Sequence, residues 1–188
     1  MKKIYIISGC NGAGKTTASM VLFPEILECL EFVNADEIAR GISPFNFEKV
    51  AITAGKIMLK RIDELLDKGT DFAFETTLSS KNYIKTIQKA KNLGYSVILL
   101  YYYINSPQLA IERIKQRVND GGHNIEDDII KRRYIRSLNN LFSLYMKEVD
   151  FWIFVDNSYK KPEIVSSGYK DKIEIKNKTI WNNILEKI

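Results

Sequence analysis

Residues 9–17 read Gly-Cys-Asn-Gly-Ala-Gly-Lys-Thr-Thr, which fits the pattern GxxxxGK[ST] without a break. The residues just before them, 4–8, are largely apolar and predict a buried strand. Residues 16–23 can continue as a helix, so a strand, a glycine-rich loop and a helix follow in the order that a phosphate-binding loop requires. This stretch predicts a P-loop α/β fold that binds a nucleoside triphosphate.

The residues of this loop have separate expected roles. Its glycines let the backbone curl so that N–H groups point inward, where the helix N-terminus adds its positive dipole. Lys15 is expected to reach the β- and γ-phosphates, and the Thr16 hydroxyl to ligate Mg²⁺. The expected cofactors are ATP and Mg²⁺. The predicted nucleotide-binding residues are Gly9, Asn11, Gly12, Ala13, Gly14, Lys15, Thr16 and Thr17.

The composition predicts one domain that spans residues 1–188. Hydrophobic residues make up 45% of the chain and charged residues 27%, as in ordinary globular proteins. No apolar run approaches the roughly 18 residues of a membrane span, and the first strand begins too early for a secretory leader. Cys10 and Cys29 do not make a disulfide framework, so we expect a cytoplasmic protein without a membrane partner. We interpret Cys10 as a small loop filler rather than a catalytic thiol.

The net charge of +5 has two possible explanations. It could attract nucleic acid, but a kinase for anionic substrates also needs positive potential around its cleft. The sequence has no RNA-binding aromatic motif, zinc-ligand spacing or helix-turn-helix pattern, so a nucleic-acid partner is not favoured. His123 is the only histidine and has no cysteine partner, so any metal ion is expected to arrive with the nucleotide.

Strand and helix patterns alternate along the chain. Predicted strands cover 4–8, 31–34, 71–75, 95–104 and 151–155, and predicted helices cover 16–23, 35–42, 47–67, 80–92, 107–118 and 125–149. The alternation predicts a five-stranded parallel sheet with helices on both faces. Residues 158–188 are predicted as a small C-terminal appendage, with an antiparallel hairpin (162–166 and 172–175) and a closing helix (179–188).

Two carboxylates fall at the carboxyl ends of predicted parallel strands, where such sheets bind ligands. Asp36 follows the second strand and could accept the proton of a substrate hydroxyl as that oxygen attacks the γ-phosphoryl group. It could also simply cap the helix that it opens. Glu75 closes the third strand and could contact Mg²⁺, a Mg²⁺-bound water or a substrate hydroxyl, or be exposed on the surface. The residues alone leave these alternatives open.

Arginines recur in residues 113–136, which we interpret as a lid. Arg113 and Arg117 are four residues apart on one predicted helix, so their guanidinium groups share a face. A loop with two adjacent glycines follows at 119–123. After it come Arg132, Arg133 and Arg136. Arginines on a closing lid stabilise the charge that develops during phosphoryl transfer, and the alternative is a solvated basic face.

Several segments together resemble the zeta toxin family, and within it a short branch often labelled predicted ABC-type ATPases. The matching stretches are 9–16, Phe-Val-Asn-Ala-Asp-Glu-Ile-Ala at 32–39, Phe-Ala-Phe-Glu-Thr-Thr-Leu at 72–78, Arg-Val-Asn-Asp-Gly-Gly-His at 117–123 and Arg-Arg-Tyr at 132–134. The resemblance runs from about residue 3 to residue 157 and is more specific than the phosphate loop alone.

The resemblance implies a nucleotide-kinase-like P-loop domain that phosphorylates the amino-sugar hydroxyl of UDP-N-acetylglucosamine. It implies that Asp36 is the base, that Glu75 is the following acidic position, and that Thr77 lies near the substrate. Arg113 matches a lid arginine of the family. The second lid arginine has no secure counterpart, because His123 falls near its place and Arg117 or Arg133 could substitute.

Three functions remain open at this point. The first is an ATP-dependent kinase of a UDP-amino sugar, which would make the protein a toxin with a possible antitoxin partner. The second is a nucleotide or polynucleotide kinase, which the basic composition favours somewhat. The third is an ATP-binding switch whose hydrolysis regulates a protein partner.

Overall fold

The structure is a computed structural model that describes residues 1–25, 29–122, 124–169 and 172–187, with the backbone alone for 21–25. Its strands are β1 (Lys3–Ser8), β2 (Phe32–Val33), β3 (Phe72–Thr76), β4 (Ser96–Tyr103), β5 (Phe151–Asp156), β6 (Glu163–Tyr169) and β7 (Lys172–Ile175). Its helices are α1 (Lys15–Glu25), α2 (Ala35–Ile42), α3 (Phe47–Lys68), α4 (Tyr83–Asn92), α5 (Pro107–Asn119), α6 (Asp127–Asn140), α7 (Met146–Glu148) and α8 (Lys178–Leu185). Within these ranges, every helix is too short or too polar to cross a membrane.

The strands form one sheet in the order β2-β3-β1-β4-β5-β6-β7. The first five strands are parallel, which confirms the predicted α/β fold. Ile4, Ile6 and Ile7 are at most 1% exposed because β1 is central and helices cover the sheet. The loop that leaves β1 therefore emerges between the carboxyl ends of β3 and β4.

The C-terminal hairpin is an extension of this sheet. Strand β6 pairs antiparallel with β5, and β7 pairs antiparallel with β6. Trp152 of β5 packs directly on Gly168, where a Cβ would overlap the indole ring. The same indole stacks on Trp181 of α8, with 5.9 Å between ring centroids. Residues of the predicted appendage thus pack into the same core as the parallel strands, a long-range pairing that the local pattern did not reveal.

Several helix boundaries have clear local causes. Helix α3 ends at Gly69, whose φ is +71° and whose N–H bonds the carbonyls of the last turn. The Ser106 hydroxyl accepts a hydrogen bond from the Leu109 nitrogen at the start of α5.

Two helix boundaries differ from the prediction. Helix α4 begins at Tyr83 rather than residue 80, because the hydroxyls of Thr77 and Ser80 bond nearby backbone nitrogens and hold the chain in turns. The predicted long helix begins at Asp127 and contains a π-helical turn at Leu141–Tyr145 between α6 and α7.

Candidate active site

The loop between β1 and α1 follows the path that phosphate binding requires. Gly12 and Gly14 have φ values of +77° and +81°, which residues with a Cβ rarely adopt. A Cβ at Gly12 would lie 2.8 Å from the carbonyl oxygen of Ala110, so the loop also packs closely against α5. Helix α1 begins at Lys15, and the N–H groups at its N-terminus, which an α-helix leaves without an internal partner, suit phosphate oxygens.

Lys15 and Glu75 meet beside this loop. Nζ of Lys15 donates to the carbonyl oxygen of Cys10 at 3.0 Å and lies 3.5 Å from Oε1 of Glu75. The two side chains are only 6% and 9% exposed, so the surface alternative for Glu75 is wrong. Glu75 is not the last residue of its strand, since β3 continues to Thr76. In the sheet Glu75 pairs with Ile7 of β1, and this register brings its carboxylate to the phosphate loop.

The second oxygen of Glu75 receives two hydrogen bonds. The Thr16 hydroxyl donates to Oε2 at 2.8 Å, and Nδ2 of Asn34 donates to the same atom at 3.0 Å. A hydroxyl and a carboxylate oxygen are hard donors of the kind that Mg²⁺ prefers. Thr16 and Glu75 therefore fit a Mg²⁺ ion that arrives with a nucleotide.

Asp36 does not cap helix α2, which is the alternative that the sequence had left open. The N-cap is Asn34, whose Oδ1 accepts a hydrogen bond from the Asp36 nitrogen at 2.8 Å. Asp36 lies in the first turn, where the helix dipole stabilises its negative charge. Within the described part of the chain, its carboxylate has neither a hydrogen bond nor an ion pair, and it lines both clefts described next.

Two adjoining clefts meet at the phosphate loop. The larger has a volume of about 590 Å³ and the smaller about 230 Å³. Both are lined by Asn11, Lys15, Asp36 and Glu75. Six of the eight predicted nucleotide-binding residues line the larger cleft, namely Asn11, Gly12, Gly14, Lys15, Thr16 and Thr17, whereas Gly9 and Ala13 are buried behind it. The shared wall is the place where two bound substrates would meet.

The arginines of residues 113–136 divide between the two clefts and solvent. Arg113 and Arg117 both line the larger cleft, in keeping with their common helix face. Arg133 lines the smaller cleft, and its Nη1 donates to Oδ1 of Asn11 at 3.2 Å. Burial lowers the pKa of Arg133, and the negative charge of Asp36 opposes that shift. Arg132 and Arg136 are exposed, and His123 lies outside the described residues.

Thr77 lines the smaller cleft together with Ser79, and their hydroxyl oxygens are 2.8 Å apart. Leu78 between them has a φ of +56°, which is uncommon for a residue with a side chain. Its carbonyl accepts a hydrogen bond from the buried Nδ2 of Asn140 at 2.8 Å. The hydroxyl of Tyr145 in the π-helical turn donates to the carbonyl oxygen of Ser80 at 2.5 Å. Asn140 and Tyr145, more than 60 positions away, thus hold the loop of residues 77–80 at the smaller cleft.

The sequence reading missed two polar residues of the site. Asn34 contacts both Glu75 and Asp36, as described above. Asn157 lines the larger cleft, and its Nδ2 donates to the carbonyl oxygen of Ala13 at 2.8 Å. Both asparagines could have been proposed from their positions, since each follows a parallel strand at its carboxyl end, where ligands bind.

Cys10 of the phosphate loop is 2% exposed, and burial raises the pKa of its thiol to about 11. Both values fit the prediction that this cysteine fills space in the loop rather than acting as a catalytic thiol.

Comparison with known proteins gives a family and a fold. The family model described as Zeta toxin matches residues 1–158, which confirms the resemblance seen in the motifs. An uncharacterized protein of Haemophilus influenzae is 33% identical over 132 residues, covering 70% of this chain and 92% of that protein.

Two solved structures are similar at low sequence identity. The AvrRxo1-ORF1:-ORF2 complex with ATP matches with a TM-score of 0.80 and 14% identity, covering 98% of this chain and 63% of that chain. A structure of the PezAT toxin-antitoxin system of Streptococcus pneumoniae matches with a TM-score of 0.67 and 18% identity, covering 98% of this chain and 84% of that chain. The chain thus spans less than two thirds of the AvrRxo1 chain that it matches.

Proposed function

We propose that this chain, which belongs to the zeta toxin family and is an ATP-dependent phosphotransferase, transfers the γ-phosphoryl group of ATP to a hydroxyl of a UDP-amino sugar such as UDP-N-acetylglucosamine. The observation that carries the proposal is Asp36, a carboxylate without a hydrogen-bond partner in the described chain, on the wall that the two clefts share. A general base must reach the acceptor hydroxyl whose oxygen attacks the γ-phosphoryl group, and a position on the wall between the two clefts allows this.

The larger cleft would hold ATP. The phosphate loop binds the phosphate oxygens through backbone N–H groups, and Lys15 contributes a fixed positive charge. Thr16 and Glu75 would hold Mg²⁺, which neutralises charge on the β- and γ-phosphates when bound. Residues 113–136 would act as a lid, in which Arg113 and Arg117 stabilise the charge on the transferred group.

The smaller cleft would hold the acceptor. Its wall offers the hydroxyls of Thr77 and Ser79 and the guanidinium of Arg133, with Tyr83 behind them. These groups can hydrogen-bond a polar, hydroxyl-rich molecule and contact an anionic group through one cation. Arg133 is the better of the two candidates for the second lid arginine on the acceptor side, since Arg117 lines the larger cleft only.

The family also supports a biological setting for this reaction. The structure of PezAT is described as a toxin-antitoxin system. We propose by analogy that the present protein acts in the cytoplasm, that its activity slows growth, and that an antitoxin protein neutralises it. The neighbouring open reading frame would encode that antitoxin.

The test is a direct product analysis. Wild-type protein and an Asp36→Asn variant are incubated with Mg·ATP and a panel of UDP-sugars, nucleosides and 5′-hydroxyl oligonucleotides, and products are identified by mass spectrometry. A phosphorylated UDP-amino sugar made by the wild type alone is the expected result. Phosphorylated oligonucleotides alone would favour a polynucleotide kinase, and ATP turnover that responds only to a protein would favour a switch.

A further inference from the structure

The last residue of β5, Asp156, is a buried carboxylate that directly precedes Asn157, a residue that lines the larger cleft. It is 4% exposed, and its backbone pairs with Tyr103 on one side and Glu163 on the other, so its position in the sheet is fixed. Its Oδ1 accepts hydrogen bonds from the backbone nitrogen of Ser158, at 2.8 Å, and from the Ser158 hydroxyl. The carboxylate therefore holds residues 156–158 in a tight turn.

This turn reaches the phosphate loop and Arg113 at the same time. The carbonyl oxygen of Ser158 accepts a hydrogen bond from Nη2 of Arg113 at 3.2 Å. Nη1 of the same guanidinium donates to the carbonyl oxygen of Gly12 at 3.4 Å. Asn157, between the two ends of the turn, bonds Ala13 of the loop through its side chain at 2.8 Å. One three-residue segment thus contacts both the phosphate loop and an arginine of the proposed lid.

We propose that Asp156 and Ser158 are positioning residues that orient the Arg113 guanidinium toward the phosphoryl group during transfer. The proposal rests on the role of Arg113 given under the proposed function. A free arginine side chain samples many rotamers, and holding it in one of them before reaction removes that entropy from the barrier. Two of its five N–H groups are used by carbonyl oxygens, which leaves three for phosphate oxygens.

The indirect connection matters chemically. Among the described residues, Asp156 and Arg113 form no direct ion pair, and the carboxylate acts through the neutral carbonyl of Ser158. A carboxylate in direct contact would neutralise the positive charge of the Arg113 guanidinium. That charge is needed to stabilise the negative charge that develops on the phosphoryl group. A carbonyl oxygen fixes the guanidinium geometry and leaves its charge available. Asp156 and Ser158 are both buried, which shields the hydrogen bonds between them from water.

A double-mutant cycle with Arg113 tests the proposal. We measure kcat and the KM for ATP in the presence of Mg²⁺, both for basal hydrolysis and with UDP-N-acetylglucosamine as the acceptor. Asp156→Ala is expected to lower kcat by about tenfold to a hundredfold, the range for small misplacements of a catalytic group, with the KM for ATP within twofold. Asp156→Asn keeps an acceptor for the Ser158 N–H and is expected to restore most of kcat. In an Arg113→Ala background, Asp156→Ala should lower kcat no further.

Asp150 provides the matched control. It stands just before the other end of β5 and also binds a backbone nitrogen, that of Val97, at 2.8 Å. Asp150→Ala should change stability without changing kcat in the folded protein. Ser158→Ala removes only the hydroxyl that donates to Asp156. If Asp156→Ala does not fold, this variant takes its place in the double-mutant cycle with Arg113→Ala.

Equal decreases in kcat with and without Arg113 would overturn the positioning role. If Arg113→Ala alone leaves kcat unchanged, the role of Arg113 itself is wrong, a failure distinguishable from a loss of coupling.

Discussion

The side-chain oxygen of Asn34 lies 2.8 Å from the backbone nitrogen of Asp36, so one residue caps the helix and the other is left to face the clefts. The amide nitrogen of Asn34 donates to Glu75 at 3.0 Å. A single asparagine therefore fixes the position of the proposed base relative to the proposed metal ligand. The sequence allowed capping and catalysis to coexist in Asp36; Asn34 supplies the cap, and Asp36 stays the proposed base.

Asp36→Asn is expected to lower transfer to the acceptor by roughly 10²–10⁴-fold, because it removes the proton acceptor. The variant should bind Mg·ATP as the wild type does and unfold at nearly the same temperature, because Asp36 does not supply the cap. Product formation by mass spectrometry and a thermal melt measure the two quantities. Equal product from both proteins would end the catalytic role.

Asn34→Ala is the control for this separation. It should lower the free energy of unfolding, measured by denaturant titration, by at least about 1 kcal/mol, the usual cost of losing a cap, because it also removes the hydrogen bond to Glu75.

Lys15→Ala is expected to weaken ATP binding and abolish transfer, because the phosphates lose a fixed positive charge. The fold should survive, since among the described residues Nζ has polar contacts only with Cys10 of the loop and Glu75. Calorimetric titration with Mg·ATP and a circular dichroism spectrum test both statements. Lys56→Ala, on an exposed position of α3, is the matched control. Near-normal turnover by a folded Lys15→Ala protein would contradict the assignment of the phosphate loop.

Arg113 and Arg133 are expected to give different kinetic changes. Arg113→Ala should lower kcat by roughly 10³-fold with little change in the KM for ATP, as expected for an arginine that stabilises the transition state. Arg133→Ala should mainly raise the KM for the acceptor, because Arg133 lines the smaller cleft. Arg136→Ala removes an exposed arginine of α6, the helix that carries Arg133, and should change neither kcat nor the KM for the acceptor. A rise only in the KM for ATP would make Arg113 a ground-state phosphate contact.

Local patterns predicted the parts of this protein that depend on neighbouring residues. The phosphate loop, the helix over 35–42 and the end of α3 at Gly69 were all found from short-range signals. The cap of α2 was harder, because Asn34 and Asp36 are both good capping residues and differ by only two positions.

The contacts between distant residues could not be read in this way. Arg132, Arg133 and Arg136 look equivalent in the sequence. Only the packing of α6 brings Arg133 to Asn11, 122 positions away. The pairing of β6 with β5 likewise depends on the tertiary structure. Asn34 and Asn157 could have been proposed from their positions after parallel strands, but position alone does not say which polar residue contacts the loop.

Cys10 is expected to be unreactive in the folded protein. Burial raises the pKa of its thiol to about 11, so at pH 8 much less thiolate is present than for an exposed cysteine. Iodoacetamide at pH 8 should label this residue only after unfolding, as seen by peptide mass spectrometry. Cys10→Ala should keep wild-type turnover. Rapid labelling of Cys10 in the native protein would contradict the burial of its thiol.

Glu75→Gln tests how the central carboxylate acts. The amide keeps an oxygen that can accept from Thr16 or Asn34, but it removes the negative charge beside Lys15. If Glu75 helps to hold Mg²⁺, the Mg²⁺ concentration for half-maximal turnover should rise by about 10–100-fold, the usual loss for a perturbed metal site, and saturating Mg²⁺ should restore most of kcat.

A steady-state series over Mg²⁺ and acceptor concentrations separates this from the other roles of Glu75. Glu174→Gln, on the exposed strand β7, is the control for a change of net charge. An unchanged Mg²⁺ dependence with a raised KM for the acceptor would assign Glu75 to the substrate hydroxyl instead. The Thr16 hydroxyl donates to Oε2 of Glu75, so the two groups would bind the same Mg²⁺ ion. If the metal role is correct, Thr16→Val should therefore also raise the Mg²⁺ concentration for half-maximal turnover.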